Sequence, residues 1–264
     1  MVAIQYLGQN GFKIRMDDLC LCFDLYLSNC VYELTGKGIR NYDAPISYES
    51  LKEIDYYFIS HDHLDHLDPE TIKNLSVNKN ITFICPFPYI GILERLGVEN
   101  RKIIGARADE KIDFNGFYVI PIPEKHESYT LIDGDHGNLG YVVCADKFRF
   151  YHAGDAIADK TLAESLKRFG RYNVMFLPIN GHDWKRFDNE IMGNMNYREA
   201  LDLCDYVGAD MVVPMHYDLF CNNTENPAYF VDYLYRNYPY QKFKMFIRGE
   251  TIYIKGDSEN DRFE

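Results

Sequence analysis

The sequence predicts an α/β fold in which two mixed β-sheets are covered by helices, a four-layer αββα sandwich. Short β-branched or aromatic runs alternate with helix-like runs in both halves of the chain. Five of the apolar runs lead into a His or an Asp, so strands from both halves deliver polar groups at their ends. The 264 residues, 47% of them hydrophobic, suffice for one large core. No Pro/Ser/Gly-rich linker, low-complexity tract or charge block interrupts them, so one domain over 1–264 is expected.

Taken in order, the chain opens with a hairpin of Ile4–Leu7 and Phe12–Arg15, where Asn10-Gly11 is a dipeptide suited to the turn. Leu19–Phe23 is a third strand ending at Asp24, and Tyr56–Ile59 a further apolar run. Asp68 caps a helix whose first position is Pro69, and Phe87–Leu96 forms another, closed by Gly97. Gly116–Ile120 runs towards His126, strand pairs occupy Leu139–Tyr151, and a helix spans Ala158–Phe169. A strand at Val174–Leu177 precedes Asn196-Tyr197-Arg198-Glu199, which has the order of a capping box for a helix ending near Gly208. Met211–Met215 stops at His216; a helix at 227–237 and a final strand pair complete the chain.

The segment His61-Asp62-His63-Leu64-Asp65-His66 puts three imidazoles and a carboxylate in one loop directly after a strand. Histidine is only 8 of 264 residues, so chance gives this pattern in roughly one such chain in a thousand. It reads as a metal site. With His126, Asp155 and His216 at later strand ends, the potential ligands are His61, His63, Asp65, His66, His126, Asp155 and His216. That set exceeds the needs of one tetrahedral ion and suits two ions sharing a carboxylate. Imidazole and carboxylate without thiolate admit Zn, Mn or Fe.

The formal charge of −12, from 28 basic and 40 acidic residues without a Lys/Arg cluster, disfavours long nucleic acids as partners. Two divalent ions would reverse the sign locally, so small anionic substrates fit. The seven cysteines are scattered, odd in number and lack a Cys-x-x-Cys pair, which points to a reducing compartment. No basic-then-apolar leader and no long apolar stretch is present, so a cytoplasmic protein without a membrane partner is expected.

With these residues placed, the chain resembles the metallo-β-lactamase superfamily, whose His-x-His-x-Asp-His motif matches His61–His66 and whose later ligand motifs match His126, Asp155 and His216. Within it, the chain is most similar to the L-ascorbate-6-phosphate lactonase group. Supporting words are Leu7-Gly8-Gln9-Asn10-Gly11-Phe12, Asp24-Leu25-Tyr26-Leu27-Ser28-Asn29, Tyr151-His152-Ala153-Gly154-Asp155, Gly193-Asn194-Met195-Asn196 and His216-Tyr217-Asp218-Leu219-Phe220. The resemblance implies that His61, His63 and His126 hold one ion, that Asp65, His66 and His216 hold the second, and that Asp155 bridges. It tilts the metals towards Mn, then Zn, and implies a bridging hydroxide that attacks a small anionic lactone or ester. A homo-oligomer is compatible with it. A phosphodiesterase or nuclease, or a di-iron oxygen-binding redox module, are the alternatives in the same fold; His63 stands where the di-iron oxygen reductases carry Glu.

Around the ligands, Asp65 is read as catalytic as well as metal-binding. His182 and Asp183 are candidates for protonating the leaving group or holding substrate, against ordinary loop hydrogen bonding. Lys125, Lys185 and Arg186 are candidates for gripping a substrate phosphate, against solvated side chains. Asp24 either orients a ligand His or simply ends a strand; Asp218 is open in the same way. His136 reads as part of a surface turn, His152 as a buried, hydrogen-bonded His, and Trp184 as a residue of the pocket mouth.

Overall fold

The computed structural model describes residues 1–146 and 148–255. Its strands are β1 (Val2–Gly8), β2 (Gly11–Met16), β3 (Leu19–Phe23), β4 (Tyr56–Phe58), β5 (Thr82–Pro86), β6 (Ile103–Ala106), β7 (Ile112–Phe114), β8 (Phe117–Pro123), β9 (Leu131–Ile132), β10 (Asp135–His136), β11 (Leu139–Ala145), β12 (Phe148–His152), β13 (Tyr172–Pro178), β14 (Ala209–Met215), β15 (Lys242–Phe243) and β16 (Thr251–Ile254). One sheet has the order β16-β1-β2-β3-β4-β5-β6 and the other β15-β14-β13-β12-β11-β8-β7, with β9 and β10 as a separate ribbon. Both sheets mix parallel and antiparallel pairs, as the sequence predicts. Helices α1 (Cys30–Thr35), α2 (Pro69–Ser76), α3 (Ile90–Arg95), α4 (Lys160–Lys167), α5 (Trp184–Asp188), α6 (Tyr197–Val207) and α7 (Pro227–Asn237) complete the elements. Among the described residues, no helix is long and apolar enough to cross a membrane.

Period-two alternation explains the layering. Leu21 and Phe23 of β3, Phe58 of β4 and Ile84 of β5 face the second sheet, whereas Cys20, Cys22, Tyr57, Phe83 and Cys85 face the outer layer containing Ile72, Leu75 and Leu93. Between the sheets, Phe23 stacks on Phe58 at 4.8 Å and Phe12 meets Phe176 at 4.5 Å between ring centroids. Each such buried side chain contributes about 1.5–3 kcal/mol. On the far side, α4, α6 and α7 bury Leu162, Leu166, Leu201, Cys204, Phe230 and Leu234. The cysteines are all free, and six of the seven are buried as small apolar groups.

The structure departs from the expected elements in three places. The hairpin turn centres on Gln9-Asn10, because Gly8 pairs with Gly11 and the positive φ values fall at Gly8 (94°) and Gln9 (53°). The segment from Phe87 begins as a 3₁₀ turn carrying Pro88 and becomes α-helical only at Ile90. The final strands do not pair with each other: β15 runs parallel to β14, and β16 lies antiparallel to β1. The connection between them carries Phe246, whose ring centroid lies 6.0 Å from those of Tyr6 and Phe12 in the core, so its burial ties the two edges together.

The chain direction places the carboxyl ends of β3, β4, β8, β12 and β14 beside Asp24, His61, His126, Asp155 and His216 respectively. Strand carboxyl ends are where open α/β sheets gather ligand-binding groups. Asp68 holds one side of this region. Its buried carboxylate caps α2 through Glu70 and Thr71 N–H and accepts from the backbone of Leu27 and Ser28 and the hydroxyls of Ser28 and Thr71. Replacing Asp68 by Ala orphans these donors, and we expect a loss of about 3–5 kcal/mol in urea unfolding. A loss below about 1 kcal/mol would show that water replaces the carboxylate.

Candidate metal centre

Two groups of side chains converge at the strand ends. His61, His63, His126 and Asp155 bring ligand atoms within 4.8 Å of one another, as do Asp65, His66 and His216. Asp155 lies between them: Oδ1 is 3.2 Å from His66 Nε2, while Oδ2 is 3.2 Å from His216 Nε2 and 3.8 Å from His126 Nε2. All the sequence-predicted ligands therefore meet at one place.

The rings are aimed by their other nitrogens. His66 Nδ1–H donates to Asp24 Oδ2 at 2.9 Å. Ser60 Oγ–H donates to the same oxygen at 2.7 Å, so Ser60 Oγ accepts from His61 Nδ1–H at 2.9 Å. His126 Nδ1–H donates to the carbonyl of Gly193 at 3.1 Å. In His61 and His126 this leaves the Nε2 lone pair facing the cluster, and in His66 it turns Nε2 towards Asp155. The Nε2 atoms of His61, His66 and His126 are buried and have no hydrogen-bond partner among the described residues. A buried polar atom left unpaired costs about 1–3 kcal/mol. Three in one cluster, beside carboxylates, fit a bound cation.

Electrostatics agree. Burial, reinforced by the neighbouring His66 and His63, pushes His61 well below its ordinary pKa, and burial brings His126 down to about 4. His66 and His216 resist the same burial because the Asp155 and Asp65 carboxylates favour positive charge there, lifting His66 well above the usual range and His216 to about 9. Burial opposes ionisation of Asp155, but His216 and His66 hold it well below the usual carboxylate range. His61 and His126 are thus held neutral, and the second group calls for positive charge.

The backbone is bent to make this possible. Gln9 (φ 53°), Asp24 (φ 40°) and His216 (φ 59°) all lie in the left-handed region without being glycine, a strain that clusters at functional sites. Gly154 (φ 58°) must be glycine: a Cβ there would meet Ser60 Cβ at 2.5 Å.

Other predicted residues are placed differently. Asp183 caps α5 and pairs with Arg186, which also donates to Asn223 at 3.1 Å and the Thr224 carbonyl at 2.8 Å. His182 lies 3.1 Å from Glu199, a residue of the α6 capping box. Lys185 and Trp184 are exposed, whereas Lys125 is half-buried beside His126 and makes no side-chain hydrogen bond or ion pair among the described residues. Asp218 accepts from Tyr42 and Arg248 instead of a ligand His. His136 lies in the β9–β10 ribbon, beside the Asp133-Gly134 turn. His152 Nε2 donates to the Asn10 carbonyl at 2.8 Å, and Asn10 Nδ2 donates to Asp155 Oδ1 at 2.8 Å. Gln9 and Asn10, 1% and 0% exposed, were not foreseen as site residues, because a polar hairpin turn normally faces water. Ser60 and Gly193 were missed because their contributions are a hydroxyl and a backbone carbonyl.

Comparison with known proteins agrees with this geometry. A family model described as the beta-lactamase superfamily domain matches residues 26–217. The chain belongs to the metallo-β-lactamase superfamily. Among its relatives in this superfamily is a UPF0173 metal-dependent hydrolase of Korarchaeum cryptofilum, 30% identical over 223 residues, 83% of this chain and 85% of that one. Another, from Pyrococcus horikoshii, is 29% identical over 234 residues, covering 87% and 91%. The isothiocyanate hydrolase from Delia radicum gut bacteria has the same fold, with a TM-score of 0.75 at 15% identity over 96% of this chain and 99% of that one. The protein is a metal-dependent hydrolase of the metallo-β-lactamase superfamily.

Because Asp24 aims two candidate ligand rings, Asp24→Asn should lower metal affinity about 10–100-fold while leaving the circular dichroism spectrum unchanged, since Asn tolerates the left-handed backbone. Unchanged affinity in a metal titration would mean that the rings are positioned without it.

Proposed function

We propose that this protein uses two divalent ions to hydrolyse a small anionic lactone or ester, with L-ascorbate 6-phosphate as the first substrate to test. The placement of Asp155 between two ligand groups carries this reading. His61, His63 and His126 would hold one ion, Asp65, His66 and His216 the other, and Asp155 both; the donor set suits Mn or Zn, with Fe also admitted. Such ions supply a nucleophilic hydroxide at neutral pH and polarise the oxygen under attack.

The chain's own groups then have distinct tasks. Asp65 is the most exposed of the carboxylates at the centre, at 14%, and in this reading takes the proton that water gives up in becoming the attacking hydroxide. The ring C–O bond breaks, and the departing oxygen needs a proton. His182 is assigned that step: its backbone packs on Gly193, whose carbonyl holds His126. Lys125, half-buried beside His126, is the cation assigned to a substrate phosphate. Arg186 could do so only by giving up its contacts with Asp183, Asn223 and Thr224.

Mn-reconstituted protein should open L-ascorbate 6-phosphate but not unphosphorylated ascorbate, and His182→Ala should lower kcat about 100-fold with little change in KM. No turnover of the phosphorylated lactone would reject this substrate. Full activity in His182→Ala would reject the proton donor.

A further inference from the structure

Gln9 is bonded to the second ligand group. Its Nε2 donates to Asp65 Oδ2 at 2.7 Å and lies 2.9 Å from His216 Nε2. The Asp65 contact fixes the amide orientation, since the amide oxygen would face a carboxylate there. The nitrogen thus lies against both Asp65 Oδ2 and His216 Nε2, in the place that a cation held by those two atoms would take. The Nε2 atoms of His61 and His126 in the first group, like that of His66 in the second, have no partner among the described residues, so the amide burdens only Asp65 and His216.

The backbone of Gln9 is fixed while its side chain is not. Its carbonyl accepts from Tyr6 OH at 3.3 Å and His216 N–H at 3.2 Å, and its N–H donates to Tyr42 OH at 3.4 Å. Apart from the contacts to Asp65 and His216, the carboxamide makes no hydrogen bond among the described residues. Displacing the carboxamide would thus free both ligand atoms while these backbone bonds keep the turn in place.

We infer that the Gln9 carboxamide competes with the metal for Asp65 and His216, so that the two ions load in sequence, with the His61/His63/His126 site filling first. This rests on the two-ion reading. Loading the second site breaks two polar contacts, one of them to an ionised carboxylate, and so carries a penalty that the first site does not.

The test is calorimetric titration of chelator-treated protein with Mn(II), comparing wild type with Gln9→Asn and Gln9→Gly. Both substitutions accept positive φ; Asn is one methylene shorter, and Gly removes the amide. The wild type should show two steps separated by at least about tenfold. Both variants should tighten the second step about tenfold and leave the first unchanged, as expected for loss of about 1.4 kcal/mol of competing contacts. A second step that is unchanged or weaker in both variants would overturn the role of Gln9. Saturation at one ion per chain in all three proteins would overturn the two-ion reading itself, and the inference with it.

Discussion

The carboxylate of Asp24 is the constraint on which the site depends. It is 1% exposed, sits on a left-handed backbone at the end of β3, and accepts from Ser60 N–H at 2.8 Å as well as from Ser60 Oγ and His66. One side chain thereby fixes the tautomer and direction of His66 directly and of His61 through Ser60. Burying an ionised carboxylate is costly unless it is fully bonded. Here its bonds are made with groups that must themselves be oriented for a cation, so the requirements of folding and of ligation coincide.

The two sheets supply the rest. Each ligand side chain follows the end of a strand whose opposite faces are locked by aromatic and aliphatic packing, so small errors in ring position are resisted by the core. His152 links the sheets at this level: its ring stacks on Phe23 at 5.0 Å and it holds Asn10, which in turn holds Asp155. Gln9 and Asn10 thus insert the first hairpin into the cluster, one contacting Asp65 and His216 and the other Asp155.

Much of this was legible in the chain. The His61–His66 segment, the α2 cap at Asp68 and the α6 capping box are local chemistry written in neighbouring residues, and the structure brings that segment together with His126, Asp155 and His216 as candidate ligands. What was not legible depends on long-range packing. Whether Gln9-Asn10 faces water or a metal cluster is decided by residues more than 50 positions away, such as Asp65 and Asp155. The splitting of β15 and β16 between sheets follows from Phe246 entering the core, which strand propensity does not encode. Arg186 looked free in sequence because its contacts with Asn223 and Thr224 arise only from the fold, whereas its pairing with Asp183 is local to α5.

The most direct test of the central claim is the number of metal ions per chain, measured by elemental analysis after saturation with Mn or Zn, for the wild type and Asp155→Ala. The account predicts two ions in the wild type and one or none without the carboxylate shared by both groups. One ion at saturation in the wild type, or two retained without Asp155, would contradict it.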